Sequence, residues 1–266
     1  MQTRNYSPRS IETYVHLLHS LEEYHNISVD EISIDQVKDF LQYVIETKKV
    51  SVSYINQVIS AVKILQKDVL GNEWESIRIK RPRRFKNLPV VLSMEEVKTM
   101  IETTRNLKHR AILAVIYSAG LRISEAISLR PSDIDSDRKQ IRVLGKGNKY
   151  RYTLLSANTL NMLRIYWRAY KPERYLFEGQ KPGQPISIST IQVVFKHACK
   201  KSGINKPASV HSLRHSFATH LLESGVNLKI IQSLLGHSSL RTTSIYLHVT
   251  RFDPSTVKSP FDEIAF

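Results

Sequence analysis

The chain has 266 residues, more than a single domain usually holds, and its 41% hydrophobic and 24% charged side chains with only 9 Gly and 10 Pro exclude a disordered or collagen-like polymer. One cysteine, Cys199, rules out an internal disulfide and a Cys-based zinc site, and no stretch approaches the ~20 apolar residues that span a bilayer. The formal charge of +15 favours a polyanion as partner, and the opening MQTRNYSPRS has no apolar signal core, so the expected compartment is the cytoplasm.

The pattern is helical from the start. Ser7-Pro8 suits an N-cap and first helical position, and Ile11, Tyr14, Val15, Leu18 and Leu21 mark one face of a first helix. Ser33 with Gln36 is a capping-box signal for a second, carrying Val37, Phe40, Leu41, Val44 and Ile45. A third is predicted from Ser53 to Leu70, ending at Gly71. Residues 1–76 therefore read as a helical bundle.

A break follows. Pro82 and Pro89 interrupt helix formation, and Arg78, Lys80, Arg81, Arg83, Arg84 and Lys86 make the stretch basic, so 77–92 is assigned as a linker. A solvated charge run without a partner is the plainer alternative. Residues 1–92 hold 13 basic and 11 acidic side chains, whereas 93–266 hold 26 and 13, so the second segment carries the field.

The second domain, 93–266, opens on another capping box at Ser93-Met94-Glu95-Glu96, with a helix to about Thr103 and a strongly apolar one over Leu107–Ala119. Gln140–Leu144 and Tyr150–Leu155 are β-rich runs around Gly145-Lys146-Gly147-Asn148-Lys149, a hairpin with a basic tip. Helices are predicted over Ala157–Tyr170, Ser189–Ser202, His211–Ser224 and Leu228–Leu235, and a short one over Arg241–Tyr246. The expected fold class is mainly α with a small antiparallel β-sheet in the C-terminal domain.

Several polar residues sit where solvation is an incomplete account. Arg122 follows Gly120-Leu121 directly after the apolar helix, with Glu125 three residues on, as either a functional guanidinium or a clamp that fixes the turn. Lys146 lies between two glycines that permit close approach to a ligand, or simply faces solvent. Lys149 and Arg151 read as phosphate-contact or solubilising residues.

His211 and Arg214 fall three apart at a helix start, where an anion is favoured. His211 and His215 have a zinc-compatible spacing without the acidic residue of a zinc-protease helix, so no metal is expected. His220 reads as a packed, hydrogen-bonded histidine, and Gly236 as a helix cap before His237. Tyr246 alone would be a half-buried aromatic.

Together these groups suit metal-free phosphoryl transfer, because fixed guanidinium and imidazole donors can stabilise charge on nonbridging oxygens. Tyr246 is the candidate nucleophile. Its phenol, with an ordinary pKa of ~10, needs a base and a positive field, and His211 is the expected proton acceptor.

Ala119-Gly120-Leu121-Arg122-Ile123-Ser124-Glu125, the box from His211 to His220, and Leu234-Leu235-Gly236-His237-Ser238-Ser239 followed by Thr242-Thr243 and Tyr246 occur in one order. In these the sequence resembles the tyrosine recombinases, also called phage integrases or lambda-integrase-like site-specific recombinases, in a compact two-domain Xer-like or integron-related form. The resemblance implies that the N-terminal bundle is a SAM-like core-binding domain. It implies that Arg122, Arg214 and His237 hold the scissile phosphate, with Glu125 and His215 behind them. Lys146 would protonate the leaving 5′ oxygen, His211 assist Tyr246, and Tyr246 form a 3′-phosphotyrosyl link.

It further implies strand exchange through a Holliday junction without metal, cofactor or ATP, double-stranded recombination sites as partner, and a homo-tetramer on DNA, with a paired recombinase or accessory proteins as further partners. Arg78, Lys80, Arg81, Arg83, Arg84, Lys86, Lys149, Arg151 and Arg241 are the DNA-contact candidates, and the tail from Leu247 to Phe266 is expected to pack on a neighbouring protomer, with packing on its own domain or disorder as the plainer alternatives. Alternatives are a type IB topoisomerase, an inactive recombinase, and a non-catalytic regulator using Asn227–Ser239 as a helix-turn-helix element.

Overall fold

The computed structural model describes residues 6, 8–72, 88–145 and 149–250. Ser7, the basic run from Arg78 to Lys86, Lys146 at the hairpin tip and the tail beyond Thr250 lie outside the described residues. The chain divides into two compact units, Met1–Lys86 and Asn87–Phe266.

The first unit is built from α1 (Pro8–His25), α2 (Ile34–Glu46) and α3 (Val52–Ile64). Ser33 accepts from the Gln36 amide while the Gln36 side chain accepts from the Ser33 amide, so the capping box sits where its sequence signal placed it. Leu17 and Leu21 of α1, Val37, Phe40, Leu41 and Val44 of α2, and Ile55, Val58, Ile59 and Val62 of α3 close one apolar core. The third helix is not uniform to Leu70. It widens into a π-helical turn at Leu65–Val69, just where the apolar stripe runs out and Val69 stands 63% exposed.

In the second unit, α4 (Met94–Thr103) and α5 (Leu107–Ser118) begin it, and α6 (Ile123–Ser128) and a 3₁₀ turn (Pro131–Asp133) follow. A three-stranded antiparallel sheet comes next, β1 (Ile134–Asp135), β2 (Gln140–Leu144) and β3 (Tyr150–Leu154), in the order β1-β2-β3. Helices α7 (Ala157–Tyr170), α8 (Ile188–Lys201), α9 (Val210–Glu223), α10 (Leu228–Leu235) and α11 (Leu240–Thr243) then lead into a 3₁₀ turn over Ser244–His248. Helix α6, at six residues, and β1, at two, are too short to show a hydrophobic period, which is why the sequence did not announce them.

The core is centred on α5, whose Ile112, Leu113, Val115 and Ile116 are wholly buried, and includes Ile141 and Val143 of β2 and Ile191 and Phe195 of α8. Leu92 corrects the linker boundary. It is fully buried in this core, and its amide donates to Ser216 Oγ of α9 at 2.8 Å, so the last linker residue belongs to the second unit. A smaller cluster of Phe217, Ala218, Ile231, Leu235 and Tyr246 joins α9, α10 and the final turn. No helix among the described residues is long and apolar enough to cross a membrane.

Candidate active site

The site begins at the sharp exit from α5. Gly120 has φ +61°, and a Cβ there would lie 2.3 Å from the Phe217 ring, so both conformation and space demand glycine. The turn delivers Arg122 as the N-cap of α6 and places Glu125 at the third helical position. Glu125 accepts from the Arg122 amide and from its Nη1, each at 2.8 Å. Both bonds run from Arg122 to Glu125, so the start of α6 is held by a one-way ion pair and not by a hydroxyl cap.

Glu125 is buried and does more than cap. Arg151, inward-facing on β3, donates to both its oxygens at 2.9 and 2.8 Å, and Arg214 Nη1 lies 3.5 Å away. Burial would raise the Glu125 pKa, but the bonds and charge of Arg151, followed by the bonds from Arg122, hold it below the ordinary carboxylate value. One carboxylate therefore faces three guanidiniums and leaves an excess of positive charge.

Arg214, on the second turn of α9, is 4% exposed and donates Nη1 to Gly120 O and Nη2 to Leu235 O, each at 2.7 Å. Burial first, then the Arg122 charge, bring its pKa down to about 10. Its Nη2 also lies 3.0 Å from Nε2 of His237. Because a guanidinium cannot accept, Nε2 is the acceptor, and the ring proton sits on Nδ1, 3.0 Å from the buried Thr243 hydroxyl. Burial and the charges of Arg214, Arg122 and Arg151 push the His237 pKa down to about 4.

Tyr246 lies on the final 3₁₀ turn, 2% exposed, with its hydroxyl 3.2 Å from Nδ1 of His215. Burial raises its pKa, while Arg214 and Arg122 draw it back. His215 itself is pushed down to about 4 by burial, His211 and Arg214, and is neutral at pH 7.

Arg122, Glu125, Arg214, His237, His215 and Tyr246 are thus brought together. His211 is the first departure from expectation: it is exposed, one helical turn before His215, and the Tyr246 hydroxyl meets His215 in its place. The reason is packing, since the final 3₁₀ turn lies against α9 in a cluster with Phe217 and Ala218. His211 still feels the site, its pKa lowered by desolvation and then by Arg214 and Arg122.

Arg151 is the second departure. It is not a surface phosphate contact, for its side chain is only 11% exposed, bound to Glu125 and to Leu234 O at 2.8 Å. The signal was present in strand alternation: Arg151 and Thr153 share the inward parity of β3, and Arg151 lies opposite the buried Val143. Gly236 likewise has a second reason beyond its capping φ of +65°, because a Cβ would stand 2.7 Å from Arg151 Cδ. Lys149 and Arg241 are exposed. His220, as expected, is a packed residue, 2.9 Å from the Tyr117 hydroxyl. Among the described residues no three His, Cys, Asp or Glu side chains gather as metal ligands would.

A helical catalytic unit that gathers arginines, histidines and a tyrosine around one carboxylate defines an enzyme of DNA strand breaking and rejoining, of the tyrosine recombinase class. The phage integrase family pattern matches residues 90–251, and that of the phage integrase N-terminal SAM-like domain matches 1–76, so the chain belongs to the phage integrase family of tyrosine recombinases.

The chain is 33% identical over 258 residues to a tyrosine recombinase of Thermosipho africanus, covering 92% of this chain and 90% of that one. It is 37% identical over 219 residues to tyrosine recombinase XerA of Pyrococcus horikoshii, covering 80% and 76%. Among solved structures, the pre-cleavage complex of XerH site-specific recombinase bound to difH substrate is similar at a TM-score of 0.74 and 26% identity, over 92% of this chain and 78% of that one. None of these matches supports the topoisomerase or regulator alternative.

Proposed function

We propose that this chain cuts and rejoins double-stranded DNA at specific sites with Tyr246 as nucleophile. The Tyr246 oxygen attacks the scissile phosphorus, the bond from phosphorus to the 5′ oxygen breaks, and a 3′-phosphotyrosyl link forms. Arg122, Arg214 and His237 hold the nonbridging oxygens, where negative charge builds in the transition state. Neutral His215 takes the phenolic proton through Nδ1, with its own ring proton on Nε2. His211, at the exposed start of α9 under the charges of Arg122 and Arg214, hydrogen-bonds the phosphate from outside. Lys146 gives the leaving 5′ oxygen its proton.

Because the phosphotyrosyl link conserves the phosphodiester bond energy, attack by another strand's 5′-hydroxyl reverses the step without ATP. The Holliday junction, the homo-tetramer on DNA, the division into a core-binding unit (1–76), a basic linker ending before Leu92 and a catalytic unit that opens at Leu92, and action in the cytoplasm belong to the same reading, as does a paired recombinase or accessory protein. The related XerH is described as bound to its difH substrate, which supports a duplex DNA partner.

The observation that carries this reading is the Tyr246 hydroxyl held against His215 beside Arg214, which the Glu125 cluster anchors. At 2% exposure Tyr246 cannot meet a phosphate, so binding of DNA has to open the turn over Ser244–His248.

The test is covalent trapping. Wild type and Tyr246→Phe are incubated with labelled duplexes from around the gene, with EDTA present, and quenched in detergent. An adduct from wild type alone is expected. Adduct of equal yield from Tyr246→Phe would remove Tyr246 as the nucleophile, and none from a wild type that binds one duplex tightly and specifically would mark the chain as an inactive or partner-dependent recombinase.

A further inference from the structure

Resting on the proposed reaction, the structure assigns to Arg151 the role of a positioning residue, one that sets the phosphate-binding groups Arg122, Arg214 and His237 through Glu125 and the end of α10 without itself touching DNA. Two independent attachments meet on this one side chain. Nη1 and Nη2 take both oxygens of Glu125, the same two atoms that hold Arg122, so Arg151 fixes the plane of the carboxylate on which Arg122 is oriented. Nε donates to Leu234 O, while Arg214 takes the next carbonyl, Leu235 O. Both carbonyls lie at the negative end of the α10 dipole, two and three residues before His237.

The consequence is a rigid triangle. Arg214 and Arg151 each bind α10, and each faces Glu125, so neither α10 nor the carboxylate can shift without the other. The neighbouring inward residue of β3, Thr153, donates to Ala119 O at 2.9 Å and ties the same strand to the turn that presents Arg122. Closeness of fit adds to this, since Gly236 leaves room for the Arg151 stem that no side chain would leave. Without Arg151, both Glu125 oxygens become free to draw Arg122 and Arg214 inward, off the phosphate. A lysine cannot replace the fork, because it reaches one oxygen at a time and has no Nε–H for Leu234.

The test compares wild type, Arg151→Lys and Arg151→Gln in the full chain with three readouts: DNA affinity with its salt slope, single-turnover cleavage of a nicked duplex, and the His237 titration followed by NMR of ring-labelled histidine without DNA. Displacements of about 1 Å cost on the order of a hundredfold in rate, so Arg151→Lys should cleave about tenfold and Arg151→Gln about a hundredfold more slowly, with affinity within about twofold of wild type. Arg151→Gln should also move the His237 midpoint upward from about 4, because one of the charges that depress it is gone.

Cleavage at the wild-type rate in Arg151→Gln would overturn the proposal, as would affinity falling in step with cleavage and a shallower salt slope, the signature of a direct phosphate contact. Loss of the cooperative melt in both variants, together with the His237 signal, would reduce Arg151 to a purely structural ion pair. The histidine titration is read without any reaction, so adduct retained in Tyr246→Phe would sink the reading of Tyr246 and leave the Arg151 result standing.

Discussion

The hydroxyl of Tyr246 lies 3.2 Å from Nδ1 of His215, on the helix that also carries Arg214 one residue earlier. The proposed nucleophile and an arginine proposed to bind the phosphate are thereby referred to one helix. Both the histidine at the phenol and His237 at the arginine are held neutral by burial and neighbouring charge.

That neutrality makes the protein acid-sensitive. The folded pKa values of His215 and His237, each about 4, lie below the ordinary histidine value, so the unfolded chain binds more protons between about pH 6.5 and pH 4. Their stabilisation is present above the unfolded pKa and lost as pH falls towards 4, at up to about 1.4 kcal/mol per pH unit and histidine. Glu125, also depressed, acts in the same direction below its ordinary value. Urea melts at pH 7, 6 and 5 should show a falling midpoint, and a flat midpoint that persists in His215→Phe would contradict the neutral cluster.

Glu125→Gln keeps the shape but removes the one negative charge among three guanidiniums. Breaking a buried pair from one side costs roughly 3–5 kcal/mol, so the variant should unfold at clearly lower denaturant and cleave poorly. A melting curve that overlays the wild type would show that solvent, not Glu125, balances Arg151 and Arg214.

Glycine substitutions separate conformation from space. Gly203 and Gly120 share a left-handed backbone, but a Cβ at Gly203 meets nothing within 4 Å, whereas at Gly120 it meets Phe217. Gly203→Ala should cost about 1 kcal/mol, and Gly120→Ala about 2–4 kcal/mol with loss of cleavage, since its turn sets Arg122. Equal losses measured by chemical denaturation would mean that the Phe217 ring gives way freely.

DNA affinity should fall steeply with salt as counterions are released, and Lys149→Ala and Arg241→Ala should each lower the slope of log affinity against log salt by about 1. Both residues are exposed in the second unit. Filter binding between 50 and 200 mM salt on the order used for such slopes measures it, and slopes unchanged in both variants would remove them from the phosphate contacts.

Much of this site was written locally. Arg122, Arg214, His237 and Tyr246 stand in short boxes whose order is legible in one dimension, and capping boxes at Ser33 and Ser93 with 3.6-residue periods place most helices within a residue or two. Such signals act over one or two turns, so no tertiary contact is needed to read them. What only the folded chain decided is which side chains meet across distance. Tyr246 finds His215 and not His211 because of how the final turn packs on α9, and Arg151 leaves the surface because β3 turns it toward Glu125, 26 residues back, and toward α10, 83 residues ahead. Sequence spells the donors and acceptors, but burial and packing select the partners, since an ion pair inside a protein exists only where several elements converge to enclose it.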